Sequence, residues 1–183
     1  MTILIDIDST ITDFGSVLLH TLNQYNDYHD YSEIISYDWF NETYDDPWYP
    51  LTKHEFWDKV HVNPKAVKVI ESWINKGYKV YLVSASGFHD GLGYKIRKTL
   101  KAFNNLDESK VIIAQDKDMV KGDILIDDCI DNLENFSGCR ICFAQPWNEE
   151  WNYEQGHGGM RYNDWTKIDT IINEIYDIYF KNM

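Results

Sequence analysis

The chain has 183 residues, 44% of them hydrophobic, and its 30 Asp and Glu outnumber 17 Lys and Arg, which gives a formal net charge of −13. This length predicts one domain that can bury a core without disulfides or a structural metal, and the apolar content excludes wholesale disorder. The acidic balance argues against binding a nucleic acid polymer, because such affinity comes mainly from Lys and Arg neutralising phosphates.

Targeting signals are absent from the sequence pattern. The first residues show no basic stretch followed by an apolar one, as a secretory signal would. No window approaches the ~18–20 apolar residues that cross a bilayer. The three cysteines, Cys129, Cys139 and Cys142, are expected to be reduced and buried, with no His-rich run near them for a zinc site. We therefore expect a soluble, cytoplasmic protein with no membrane partner.

Five short apolar runs predict β-strands, at residues 3–5, 79–83, 111–114, 123–126 and 140–144. Apolar residues at helical spacing predict amphipathic helices over residues 64–76, 88–103 and 165–180. Strands that alternate with helices of this length are typical of βαβ units. We therefore expect an α/β fold with a mostly parallel sheet and helices on both faces.

Residues 15–63 do not fit this alternation. They contain nine acids, two lysines and eleven aromatic residues, with no strand-like apolar run. Because they fall between the first strand and the helix before the second, we predict a helical cap at 15–63 and an α/β core at 1–14 and 64–183. The aromatic surplus permits a homodimer interface without requiring one. Residues 145–163, rich in Pro and Gly, are predicted to form a loop.

Polar residues follow the predicted strand ends, where ligands bind in parallel α/β sheets. They are Asp6 and Asp8, then Ser84, then Lys117, then Asp127 and Asp128. Clustered carboxylates need a cation, and Mg²⁺ accepts carboxylate, water and phosphate oxygens. The alternative for any one of them is a helix N-cap, which does not explain all six together.

These residue types suit phosphoryl transfer. An Asp can attack a phosphoryl group to form an aspartyl phosphate, and a second acid two residues later can protonate the leaving oxygen and then activate water. Ser84 would donate a hydrogen bond to a phosphoryl oxygen. Lys117 would balance the charge of the phosphoryl group and orient the nucleophile.

In this order, residues Asp6 to Thr10, Ser84, Lys117 and the Asp127-Asp128 pair resemble the four motifs of the haloacid dehalogenase-like phosphohydrolases. The match spans the predicted sheet from end to end. Within that superfamily the chain is similar to the 5'(3')-deoxyribonucleotidases, including bacterial and phage members. The narrower likeness lies in residues 6–14, 116–128, 145–148 and 161–165.

The resemblance implies a Rossmann-like core with a small helical cap after the first strand, and Mg²⁺-dependent removal of phosphate from a nucleoside monophosphate. Asp6 would be the nucleophile and Asp8 the general acid and base. The metal would be held by the Asp6 carboxylate, the Asp8 backbone carbonyl and an acid of the last pair. Spacing does not decide between Asp127 and Asp128; Asp127 is favoured as the first after its strand.

The resemblance also implies an aromatic pocket for the base. Phe14 matches the phenylalanine linked to the first motif, and Trp39, Phe40 and Trp57 are its predicted counterparts in the cap. Ser84 and Lys117 are predicted to bind the phosphate group. Aromatic faces stack on bases with ~1–3 kcal/mol each. The alternative for each cap aromatic is packing in the core of the cap itself. One departure is Ser9, which stands where many relatives have glycine.

Three other functions fit parts of this pattern. A phosphatase of the same architecture could act on a sugar phosphate or another phosphorylated metabolite. A signalling receiver domain also gathers acids, a hydroxyl and a Lys, but there the acid pair comes with the first strand and the Lys comes last. A non-catalytic acidic binding protein, such as a DNA mimic, would spread its carboxylates over an exposed face.

Overall fold

The computed structural model describes residues 1–85, 91–151 and 160–181. Its strands are β1 (Thr2–Asp6), β2 (Lys79–Ser84), β3 (Val111–Ile113), β4 (Ile124–Asp127), β5 (Cys139–Phe143) and β6 (Met160–Tyr162). All pair in parallel in one sheet, in the order β3-β2-β1-β4-β5-β6. Strand β1 is central, with Ile3 opposite Val80 of β2 and Ile124 of β4. The carboxyl ends of all strands therefore lie at one edge.

The helices are α1 (Phe14–Leu22), α2 (Trp39–Thr43), α3 (His54–Lys59), α4 (Pro64–Asn75), α5 (Leu92–Leu100), α6 (Ile130–Glu134) and α7 (Trp165–Tyr179). Their ends follow local chemistry. The Asn63 and Asp164 side chains cap α4 and α7, and Gly77 beyond α4 takes a φ of 85° that favours glycine. The predicted helices at 64–76 and 165–180 agree within a residue. The helix predicted at 88–103 falls partly outside the described residues, and its described part is α5.

Buried apolar residues cover both faces of the sheet, which confirms the predicted α/β class. On one face Ile3 and Ile5 pack with Trp73 of α4 and Ile168 of α7. On the other face, a second hydrophobic cluster includes Leu4, Leu125, Leu133 and Phe136. Strands buried on both sides need continuous apolar runs, which is why they are visible in the sequence.

The prediction of a loop over 145–163 was wrong at its end, where β6 adds a sixth strand. Ile141 of β5 pairs with Met160, and Phe143 pairs with Tyr162. A three-residue edge strand is too short to show a period, and its half-buried residues form no apolar run.

The inserted segment after β1 has a hydrophobic cluster of its own, which includes Leu18, Ile34, Phe40 and Trp57. Its base is closed where Thr12 and Val62 form an antiparallel bridge. The boundaries of the predicted cap stay a prediction. In the described part of the chain, no helix combines the length and hydropathy that crossing a bilayer requires.

Candidate active site

The loop after β1 is held in a tight turn. The amides of Ile11 and Thr12 both donate to the Ile7 carbonyl. Ser9 adopts the left-handed φ of 57°, where the resemblance expects glycine. Its hydroxyl accepts a hydrogen bond from the Gly15 amide at 3.1 Å, and its carbonyl accepts one from the Gln145 side chain. These contacts stabilise Ser9 in a conformation that costs a non-glycine residue energy.

Lys117 lies between two carboxylates at the strand ends. Its ammonium group is 3% exposed and donates to Asp6 Oδ1 and, at 2.6 Å, to Asp127 Oδ2. Burial alone would lower the pKa of Lys117, but the charges of Asp127 and Asp6 outweigh it and raise that pKa above its usual value. Burial raises the pKa of Asp6 to about 7, although Lys117 opposes this rise.

Asp128 accepts one hydrogen bond on each carboxylate oxygen. Thr10 Oγ1 donates to Oδ1 at 3.0 Å, and Trp147 Nε1 donates to Oδ2 at 3.1 Å. Burial, followed by the charge of Asp6, raises the pKa of Asp128 well above its ordinary value. Asp127 accepts more hydrogen bonds than Asp128. Besides Lys117, the Cys129 amide donates to it at 2.9 Å, and the Asn132 side-chain amide donates to both of its oxygens.

A second buried lysine holds Asp8, and sequence reasoning missed it. Lys95 of α5 is 3% exposed, and its ammonium group lies 2.5 Å from Asp8 Oδ2 and 2.8 Å from the Ser84 hydroxyl. Asp8 Oδ1 is buried and has no partner among the described residues. The signal in the sequence was weak: Lys95 and Thr99 are polar residues on the buried face of a helix whose exposed face also carries Lys and Arg.

The acids present fit a divalent cation. Carboxylate oxygens of Asp6, Asp127 and Asp128 lie within 4.8 Å of one another. Around the cavity, the four predicted acids face two ammonium groups, Lys95 and Lys117, so two negative charges are unbalanced when all are ionised. A divalent ion would supply that balance and lower the raised pKa values of the carboxyls. Oxygen ligands of this kind suit Mg²⁺.

A cavity of about 360 Å³ opens beside these carboxylates and runs under the inserted segment. Phe14 and Phe40 line it, as do Lys117 and the four acids. Trp39 and Trp57 do not line it: they are 9% and 2% exposed and pack behind the lining residues. Trp57 stacks on Phe14 with ring centroids 5.8 Å apart, and Trp39 contacts Phe40 edge-on at 5.4 Å. Ser84 is fully buried and is itself not a lining residue.

Several cavity residues were not predicted. The apolar ones are Ile34, Trp48, Leu51 and Trp147, and the polar ones are Ser36, Tyr37, Gln115 and Asn132. Tyr37 is 60% exposed as a whole but lines the cavity, and burial, followed by the charge of Asp128, raises the pKa of its hydroxyl well above the usual value. Within an aromatic-rich segment, sequence alone gives no signal that separates lining residues from core residues.

One contact joins the inserted segment to the core beside the site. Tyr31 donates to Gln145 Oε1 at 3.0 Å, and its ring meets Trp147 edge-on at 6.0 Å. Gln145 in turn donates to the Ser9 carbonyl, and Trp147 to Asp128. The loop after β5, at residues 145–148, thus contacts the β1 loop, Asp128 and the inserted segment together.

The chain as a whole is similar to a known protein family and to curated proteins. The family model described as 5' nucleotidase, deoxy (pyrimidine), cytosolic type C protein matches residues 1–176. A 5'(3')-deoxyribonucleotidase of Bacillus subtilis is 29% identical over 153 residues, covering 82% of this chain and 88% of that protein. A protein of the same name from Bacillus phage SPbeta matches with the same identity and coverage.

Solved structures share the fold. A HAD family hydrolase from Deinococcus radiodurans, with bound phosphate and sodium, has a TM-score of 0.64 at 11% identity and covers 94% of this chain and 95% of its own. A hydrolase from Pseudomonas syringae has a TM-score of 0.60 at 16% identity and covers 95% and 98%. At these identities the likeness establishes the architecture.

Proposed function

Because the chain belongs to the family of 5' nucleotidase, deoxy (pyrimidine), cytosolic type C proteins, which are phosphoric monoester hydrolases with a haloacid dehalogenase-like fold, we propose that it removes phosphate from deoxyribo- or ribonucleoside monophosphates through an aspartyl phosphate on Asp6. The observation that most directly supports this proposal is the position of Asp6. Its Oδ1 pairs with Lys117, while Oδ2 accepts no hydrogen bond from a described residue, and the side chain lines a cavity with aromatic walls.

In the first step Asp6 Oδ2 attacks the phosphorus atom. The bond from phosphorus to the nucleoside oxygen breaks, and Asp8 gives its proton to that oxygen, so the nucleoside leaves neutral. Lys117 holds the other oxygen of Asp6 and so fixes the direction of attack. Asp8 Oδ1, unpartnered among the described residues, is the oxygen that carries the proton.

In the second step Asp8 acts as the base. It takes a proton from water, whose oxygen attacks the phosphorus, and the bond between phosphorus and Asp6 breaks. Inorganic phosphate leaves, and both carboxyl groups return to their starting states. Lys95 keeps Asp8 Oδ2 in place through both steps, so that Oδ1 remains available for the proton.

A divalent cation, Mg²⁺ by preference, would be held by Asp6, the Asp8 backbone carbonyl and the final acid pair. When bound, it neutralises charge on the phosphoryl oxygens and orients them for attack. Asp127 already accepts hydrogen bonds from Lys117, Cys129 and Asn132, whereas each oxygen of Asp128 accepts one. Because Asp128 accepts fewer hydrogen bonds than Asp127, we favour Asp128 as the direct metal ligand. The order along the sequence favoured Asp127, as the first acid after its strand.

The nucleoside lies in the cavity against Phe14 and Phe40. Trp57 and Trp39 act indirectly, because they pack behind these two rings and keep them in place. Trp48, 36% exposed and 6.0 Å from Phe40, adds a third aromatic wall. The absence of a basic cavity surface beyond Lys95 and Lys117, among the described lining residues, suits one phosphate group rather than a polymer.

The test is phosphate release from a panel of ribo- and deoxyribonucleoside monophosphates and of sugar phosphates, with Mg²⁺ or with a chelator. We expect release from nucleoside monophosphates that stops with the chelator and returns when Mg²⁺ is added. Release from sugar phosphates alone would overturn the substrate assignment, and release unaffected by the chelator would overturn the metal assignment.

Lys95→Met should lower kcat for a deoxynucleotide roughly 10- to 100-fold, because Asp8 loses the partner that orients it and acid–base catalysis is typically worth about 10²–10⁴. The loss should be smaller with p-nitrophenyl phosphate, whose leaving group needs little protonation. Lys98→Met is the control, since Lys98 lies on the same helix and contacts the Asp58 backbone carbonyl. An equal loss with both substrates would contradict the positioning role.

A further inference from the structure

The cavity wall formed by the cap is apolar except at two adjacent residues. Ile34, Phe40, Trp48 and Leu51 form the apolar part. Ser36, which follows the short 3-10 helix at Tyr31–Glu33, brings a hydroxyl into this wall. The Ser36 oxygen is buried and has no hydrogen-bond partner in the described part of the chain.

A buried hydroxyl without a partner is unfavourable, and native proteins leave few of them. Such a group at a cavity wall is explained when a ligand atom or an ordered water completes its hydrogen bonds. A hydroxyl can donate or accept, so it can pair with a carbonyl, a ring nitrogen or an amine of a base edge.

The lining of the cavity indicates which end of the ligand Ser36 meets. Ser36 belongs to the inserted segment and lines the cavity together with Ile34 and Phe40 of the same segment. Its oxygen is therefore assigned to the part of the ligand that lies away from the core carboxylates. The phosphate lies at the other end, beside Asp6 and Lys117.

We propose that the Ser36 hydroxyl is a specificity-determining group that hydrogen-bonds the edge of the nucleobase, while the neighbouring apolar and aromatic side chains contact its faces. This inference rests on the proposed function, since it takes the phosphate end of the cavity as given. It assigns base recognition to the unpartnered oxygen of Ser36, in a wall that is apolar except at Ser36 and Tyr37.

The test compares Ser36→Ala with the native chain. A contact remote from the reacting atoms contributes equally to ground and transition states, so its loss raises KM and leaves kcat unchanged. We expect KM for the best deoxynucleoside monophosphate to rise about tenfold, with kcat within twofold and inhibition by inorganic phosphate unchanged. Ser36→Thr, which keeps the hydroxyl, should retain most of the affinity.

Thermal unfolding supplies the second readout. Without ligand, Ser36→Ala should have an unchanged or raised Tm, because it removes an unpaired buried group. The matched control is Ser32→Ala, since the exposed Ser32 hydroxyl bonds Asp30 in the same part of the cap, and its KM should be native.

An unchanged KM in Ser36→Ala for every active nucleotide would overturn the inference while leaving the proposed function standing, and so would a lowered Tm without a change in KM. If the native chain releases no phosphate from any nucleotide, the proposed function fails first, and this inference fails with it.

Discussion

Asp6→Asn is expected to reduce turnover by at least about 10³-fold while leaving the fold intact. The amide of Asn is not a nucleophile toward phosphorus, so no covalent intermediate forms, and removal of an enzyme nucleophile commonly costs several orders of magnitude. The fold should persist because Lys117 keeps its contact with Asp127 at 2.6 Å. The substitution also removes one negative charge from a crowded cluster of acids.

The measurement is kcat with the best nucleotide in excess Mg²⁺, together with Tm. Asp118→Asn is the matched control, because Asp118 is an exposed acid next to Lys117 in the chain. It should retain native kcat. Residual turnover of Asp6→Asn within tenfold of native would mean that another group, or water itself, attacks the phosphorus.

Lys117→Met should lower the free energy of unfolding by about 3–5 kcal/mol. This is the typical cost of removing one member of a buried ion pair, because the other charge stays buried without a partner. The Lys117 ammonium group is buried between Asp6 and Asp127, with Asp128 close by. Removing the cation leaves buried carboxylates that repel one another. For a domain of this size the Tm should fall by roughly 6–20 °C.

Urea unfolding at neutral pH in the presence of a chelator measures this effect without help from a divalent ion. Lys181→Met provides the comparison: Lys181 pairs with Asp177 at 3.0 Å, but both side chains are about 60% exposed, and such pairs contribute little. A loss below about 1 kcal/mol in Lys117→Met would contradict the assigned charge balance of the site.

The sheet and the polar residues at its edge could be predicted because one physical rule connects them. Strands buried on both faces need unbroken apolar runs, and the first polar residue after each run must lie at the carboxyl edge. Asp6 and Asp127 follow from this rule, whereas Lys117 lies three residues past the end of its run. The structure brings Lys117 into contact with both acids. Their catalytic roles stay a prediction until measured.

The rest depends on tertiary contacts that leave no local pattern. Lys95 reaches Asp8 from the middle of a helix, and a helix with several basic residues does not reveal which one is buried. In the inserted segment, Trp39 and Trp57 were predicted at the substrate, but the structure places them behind Phe40 and Phe14. An aromatic residue at a cavity and one in a core have the same sequence signature, so only packing separates them.

Ser9 shows how a departure from a family pattern can be accommodated. A left-handed φ usually selects glycine, and a serine there needs compensation. The structure supplies it through the Gly15 amide, which donates to the Ser9 hydroxyl, a contact that glycine could not make. This contact stabilises the left-handed residue in the turn of the β1 loop.

Trapping the covalent intermediate tests the central claim most directly. The enzyme is mixed with the best nucleotide and Mg²⁺, quenched in acid within one turnover, and treated with borohydride, which reduces an acyl phosphate to the alcohol. Mass spectrometry of the N-terminal peptide should then show homoserine at residue 6 in the native chain and none in Asp6→Asn. Homoserine at another acid, or no reduction at any acid while phosphate is released, would contradict Asp6 as the nucleophile.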